Sequence, residues 1–79
     1  MNKLVLYGSN KTEVVYEYYP DGGKECGIIK YTFSSNLAKL IKKAAGDETG
    51  YYGRKAMSKI EQVVKDEDAL PMELIQAWH

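Results

Sequence analysis

The stretch VVYEYYPDGGKECGIIKYTF, Val14 to Phe33, decides the fold. Val14, Tyr16 and Tyr18 alternate with Val15, Glu17 and Tyr19, and further on Ile29, Tyr31 and Phe33 alternate with Ile28, Lys30 and Thr32. A period of two, carried by β-branched and aromatic side chains, marks half-buried strands. Between the two runs stands Pro20-Asp21-Gly22-Gly23-Lys24, whose glycines reach positive φ at little steric cost. With Gly22-Gly23 as a two-residue turn, Tyr18 falls opposite Gly27, Tyr16 opposite Ile29 and Val14 opposite Tyr31. The other face then sets Glu17 against Ile28 and Val15 against Lys30. One face is apolar and the other mixed, as in a sheet covered by helices on one side only. A slip of one residue would exchange the faces, so the pattern fixes the register. Tyr18 lying across Gly27 would cover a residue that packs poorly by itself.

Upstream, Lys3 to Tyr7 reads as a third strand that stops at Gly8-Ser9-Asn10, with Leu4 and Leu6 on one face and Val5 and Tyr7 on the other. A meander with this strand on an edge is the simplest arrangement. After Ser34 the period becomes helical. Ser34, Ser35 and Asn36 offer N-caps, Leu37, Leu40, Ile41 and Ala44 recur at helical spacing, and Gly46 suits the residue past a C-cap. A second helix is expected from Arg54 to Asp66, with Ala56, Ile60, Val63 and Val64 inward and Met57 at the margin. A short third begins near Pro71, where Leu70, Leu74 and Trp78 align at intervals of four and Trp78 docks on the core. The sequence therefore predicts a single α+β domain, 1–79. Its order is β-β-β-α-α-α: a three-stranded antiparallel meander, then two longer helices and a short C-terminal helix, all on one sheet face.

Seventy-nine residues bury only about 60% of the surface their unfolded chain exposes. A deep ligand cleft would take up much of so small a core, which argues against an enzyme. Apolar runs fall far short of the ~20 residues of a membrane span. The opening Met1 to Gly8 carries one positive charge and too brief an apolar run for a signal peptide, so the expected location is cytoplasmic. Cys26, the single cysteine, cannot staple the chain internally. Net charge is zero, but residues 34–65 hold seven basic against three acidic side chains and residues 66–79 hold four acidic and none basic. Such a chain can attract itself, and it lacks the clear basic excess of most nucleic-acid binders.

No catalytic, cofactor or metal motif stands out. Cys26 has no base beyond the terminal His79, and one cysteine with one histidine falls short of a metal site. Seven tyrosines against one phenylalanine point instead to surfaces that are partly apolar and partly wet. The expected role is a small interaction or accessory module that binds another protein or a second copy of itself. The candidate surface is the mixed hairpin face, Val15, Glu17, Tyr19, Ile28 and Lys30. The alternative is a weak single-stranded nucleic-acid binder. There Gly50-Tyr51-Tyr52-Gly53, a G-x-x-G loop expected between two helices, would approach the backbone, with Tyr51 and Tyr52 stacking and Lys39, Lys42, Lys43, Arg54 and Lys55 supplying charge.

Overall fold

The computed structural model describes residues 1–21, 23–66 and 70–77. Among these residues five strands and one helix follow in the order β1 (Asn2–Ser9), β2 (Glu13–Pro20), β3 (Gly27–Thr32), β4 (Leu37–Lys42), α1 (Tyr51–Asp66) and β5 (Glu73–Gln76). The strands form one antiparallel sheet in the order β4-β3-β2-β1-β5. The β-β-β-α-α-α expectation is thus corrected to β-β-β-β-α-β: among the described residues a single helix, not three, covers a five-stranded sheet, not a three-stranded one.

The hairpin has the expected register, with Tyr18 opposite Gly27, Tyr16 opposite Ile29, Val14 opposite Tyr31, Glu17 opposite Ile28 and Val15 opposite Lys30. Gly22, in its turn, lies outside the described residues. The β1–β2 connection is drawn tight by Asn10, whose Oδ1 accepts from the N–H of Thr12 and of Glu13 and from the Thr12 hydroxyl. A side-chain amide thereby imitates a backbone turn.

The first expected helix is the strand β4. Leu37, Leu40 and Ile41 fit a helical stripe, but Ala38 and Leu40 also alternate with Leu37, Lys39 and Ile41, and the strand solution pairs the open side of β3. Ser34-Ser35-Asn36 belongs to the turn: Asn36 takes the left-handed conformation at φ 57, and its N–H donates to the Thr32 carbonyl at 2.9 Å. A helix of about two turns would have been marginal, whereas the strand gains a hydrogen-bonded ladder along β3 and packs Ala38 and Leu40 against the core. The same logic corrects the third helix. β5 pairs with the outer side of β1, so β1 is an interior strand and not an edge. Trp78, expected to dock, lies outside the described residues.

The core forms on the face under α1 from Leu4, Val14, Tyr16, Tyr18, Ile29 and Tyr31, closed by Ala56 and Ile60 of the helix. Helix residues Met57 and Val64 pack at its margin, with Leu6, Leu40, Leu70 and Leu74 around it. The core tyrosines send their hydroxyls outward: Tyr16 to the Pro71 carbonyl at 2.7 Å, Tyr18 to Asp47 at 2.7 Å and Tyr31 to Asn36 at 3.0 Å. Phe33, expected on this face, sits instead in the β3–β4 turn, 38% exposed, with its ring edge-on to Tyr31. Asn2 ties the far side together: its Nδ2 donates to the Tyr52 carbonyl and to Gln76, and Gln76 in turn donates to the Lys55 carbonyl.

Candidate functional site

α1 lies mainly over β3 and β4, on the core face. Among the described residues no helix or strand covers the opposite face of the sheet. Alternation places there Lys3 and Val5 of β1, Glu13, Val15, Glu17 and Tyr19 of β2, and Ile28, Lys30 and Thr32 of β3, with Leu37 and Lys39 of β4 beside them. Two bulges add to it. Tyr7 is the extra residue in β1, 73% exposed, and Ile41 the extra residue in β4, 56% exposed. A bulge turns its extra side chain out of the regular alternation. Ile75 of β5, opposite Lys3, continues the face.

At the centre, Glu17 lies between Val5 on one neighbouring strand and Ile28 on the other, with Val15 and Tyr19 two residues to either side. Its carboxylate is held in place: Oε1 accepts from the Tyr19 hydroxyl at 3.3 Å and Oε2 from the Cys26 thiol at 3.4 Å. Burial, then the hydrogen bond to and charge of Glu17, push the Cys26 thiol above its ordinary value. A thiol so placed is a structural donor and a poor nucleophile at neutral pH. Lys3 pairs with Glu73 and Lys30 with Glu13, each at 3.6 Å. A shallow depression of about 460 Å³, lined by Lys3, Val5, Tyr19, Gly23 and Lys24, opens at one end of the face. All five residues of the expected partner surface, Val15, Glu17, Tyr19, Ile28 and Lys30, thus lie together on this one open side, half-buried among their neighbours.

The residues expected to contact nucleic acid divide between two sides of the molecule. Lys39 and Lys42 project from β4 on the open face, whereas Tyr51, Tyr52, Arg54 and Lys55 belong to α1 on the core side. The G-x-x-G segment does not join two helices: Gly50, at φ 76, precedes the helix, and Tyr51 to Gly53 form its first turn. Several of these groups already have local partners. Lys43 Nζ donates to the Glu48 carbonyl, an Arg54 guanidinium N–H donates to the Thr49 carbonyl, the Tyr52 hydroxyl donates to Asp21, and Lys55 Nζ stands 5.6 Å from the Tyr51 ring centre.

Asp47, unremarked in the sequence, fills the position that an anion would take at this helix start. It is 2% exposed. Its Oδ1 accepts from the Tyr52 N–H at 3.0 Å, and its Oδ2 from the Gly53 N–H at 2.9 Å and the Tyr18 hydroxyl at 2.7 Å. Gly50 stands where a capping side chain would be and has none, so Asp47 reaches across the turn to supply it. The cue in the sequence is an acidic residue just upstream of a glycine that enters a helix; it becomes legible once the helix is known to begin at Tyr51. The Tyr18 hydroxyl also accepts from the Ala44 N–H at 3.0 Å. Burial, with the Asp47 carboxylate reinforcing it, pushes the Tyr18 phenol up to about 12.

A phenol raised in the folded chain above its ordinary value near 10 favours folding while it stays protonated. That stability is fully present below about pH 10 and is lost as pH rises through about 12. Thermal melts over that range should show falling stability, with the slope reduced in Tyr18→Phe; an unchanged slope in the variant would remove Tyr18 as its source.

Among the described residues no group of three or more His, Cys, Asp or Glu side chains is placed to hold a metal ion, and no helix is long and apolar enough to cross a membrane. Compared with protein-family models, curated proteins and solved structures, the chain matches none.

Proposed function

We propose that this chain is a non-catalytic interaction module whose working surface is the open sheet face and whose partner is a protein. The observation that carries the reading is the arrangement around Glu17: Val5, Val15, Tyr19 and Ile28 form an apolar ring on a sheet face that no other element covers, within a border of charged side chains. An apolar centre with a polar rim, including a tyrosine, is the anatomy of a protein interface. The acidic groups placed for chemistry have other work. Asp47 caps α1 and Glu17 holds Tyr19 and Cys26. A half-buried reduced thiol suits a cytoplasmic setting, which belongs to the same proposal. The nucleic-acid reading is weaker on physical grounds, because Asp47 already occupies the N–H groups at the helix start and acidic side chains are spread among the lysines of the open face.

A photo-cross-linking amino acid in place of Val15, compared with one in place of Ser58 on the exposed side of α1, tests the surface directly in cells that express the full chain. Protein adducts are expected from position 15 and not from position 58. Equal labelling from both positions, or RNA as the main adduct, would end the proposal.

A further inference from the structure

Separately from the open face, we infer that a cleft at the C-terminal end of α1, on the side of the sheet that the helix covers, takes a small organic ammonium ion. The cleft has a volume of about 790 Å³. Tyr31 and Phe33 line one wall, and Glu61, Val64, Lys65 and Asp66 of α1 line the other. Its size is within the range of small-molecule sites, and it combines apolar and charged groups as such sites do.

The sign of the ligand follows from the charges. The helix carries its side-chain charges against its dipole: the first turn has no acidic residue and ends on Arg54, whereas the last turn ends on Asp66, with Lys65 its single base. A carboxylate there is unfavourable, because the last carbonyls already give that end about half a negative charge. At the other end Asp47 corrects the mismatch from the preceding loop. Glu61 adds to the negative excess. Lys65 lies one turn further on, at the spacing that favours a Glu–Lys pair. The Glu61 carboxylate nevertheless turns to β4, where its Oε2 accepts from the Ala38 N–H at 2.8 Å. Among the described residues neither Glu61 nor Asp66 enters an ion pair. Two carboxylates and a helix end outweigh one lysine, so the cleft attracts a cation.

The aromatic wall says what kind of cation. Tyr31 is buried and its hydroxyl donates to Asn36, which also borders the cleft. The Phe33 ring stands edge-on to Tyr31 at 5.5 Å, and the Phe33 N–H donates to the Thr12 carbonyl. This wall is held in place before any ligand arrives, which lowers the ordering cost of binding. Ring faces attract cations through their quadrupole. A metal ion is poorly matched. Among the described residues no three His, Cys, Asp or Glu side chains converge on one point, and Phe33 and Val64 offer a hard cation no oxygen ligand. An ammonium ion with an apolar body suits both walls, its charge toward the carboxylates and the helix end and its carbon against Phe33 and Val64.

Nuclear magnetic resonance of the isotope-labelled full chain tests this, with choline as the probe and its neutral isostere, in which carbon replaces the ammonium nitrogen, as the control. Choline should shift the amide signals of Phe33, Asn36, Glu61 and Lys65 to saturation, with a dissociation constant of about 1 mM, in keeping with so small a ligand. The isostere should bind about tenfold more weakly, having shape without charge. Phe33→Leu keeps apolar volume but removes the ring, and Glu61→Gln keeps an acceptor for the Ala38 N–H but removes the charge. Each should weaken choline about threefold. Lys65→Gln removes the competing cation and should tighten it about twofold. Lys65 is exposed, so that variant keeps the fold whatever the other two do. Three results would each overturn the inference: no saturable shift at these amides up to about 50 mM choline, well beyond the expected constant; equal binding of the isostere; or an affinity that Lys65→Gln leaves unchanged.

Discussion

Gly27→Ala should cost this domain about 3 kcal/mol, the upper end of the usual range for forced overpacking. A methyl group at that position would lie 2.0 Å from Tyr18 Cε1, 2.5 Å from its Cζ and 2.7 Å from the Ala44 nitrogen. The last is main chain, and the ring cannot swing aside because its hydroxyl is fixed between Asp47 and Ala44. The backbone of Gly27 itself demands nothing, since its φ is not in the left-handed region; only the space is reserved. A chain of this length has a net stability of roughly 4–12 kcal/mol. A 3 kcal/mol loss should lower the melting temperature by about 12–24 °C, at roughly 4–8 °C per kcal/mol. Gly8→Ala, where an added methyl meets nothing within 4 Å, is the control and should move it little. Thermal denaturation followed by circular dichroism gives both values, and equal melting temperatures for the two variants would refute the account.

The second large effect is expected at Asp47. Asp47→Ala removes the acceptor for two helix N–H groups and for the Tyr18 hydroxyl. Loss of a helix cap costs about 1 kcal/mol. A buried hydroxyl left without its acceptor adds about 1–3 kcal/mol. Together they give about 3 kcal/mol. Asp47→Asn should cost about half as much: one oxygen still accepts, but its NH₂ must face either the Tyr52 N–H or the Gly53 N–H, donor against donor. Denaturant titration of the single variants and of D47A/Y18F measures the coupling, which should exceed about 1 kcal/mol for groups in direct contact. Additive losses would mean that the carboxylate and the phenol act independently.

These two positions share one piece of architecture. The Tyr18 side chain is a wedge between a strand and the helix, with Gly27 beneath its ring and Gly53 beside its hydroxyl, where an added methyl would lie 3.1 Å from the oxygen and 3.0 Å from Leu40 Cδ2. The hairpin pattern foretells the first half of this, because the register places Tyr18 across from Gly27. The second half depends on where α1 begins and on a loop carboxylate, and neither has a period to reveal it.

The same division runs through the whole chain. Val14 to Thr32 is legible because a two-residue alternation and a glycine turn agree on one register, and the inward stripe of Ala56, Ile60 and Val63 is legible because no strand could present it. Leu37 to Lys42 is not, because those residues satisfy a helical stripe and an alternating strand equally. The deciding term is the unpaired edge of β3, about which the local sequence says nothing. Leu74 and Ile75 present the same ambiguity, settled by the outer edge of β1. The open face is correspondingly half legible. Val15, Glu17, Tyr19, Ile28 and Lys30 follow from the hairpin register, whereas Leu37, Ile41 and Ile75 join it only once β4 and β5 are known to be strands.

The pairing of β1 with β5 also sets the cost of assembling the sheet. Asn2 and Gln76, side by side in the structure, are 74 positions apart along the chain, whereas Tyr18 and Gly27 meet across a short turn. Joining chain segments that far apart carries a loop-closure entropy of about 4 kcal/mol, and each successive hairpin of the meander carries much less. The β5 ladder is only four residues long, so little of that cost is recovered until the rest of the sheet and the helix hold both partners in place. The β1–β5 seam is therefore the last pairing to become favourable, and the buried amide of Asn2, bridging β5 and the helix, acts as the clasp that closes it.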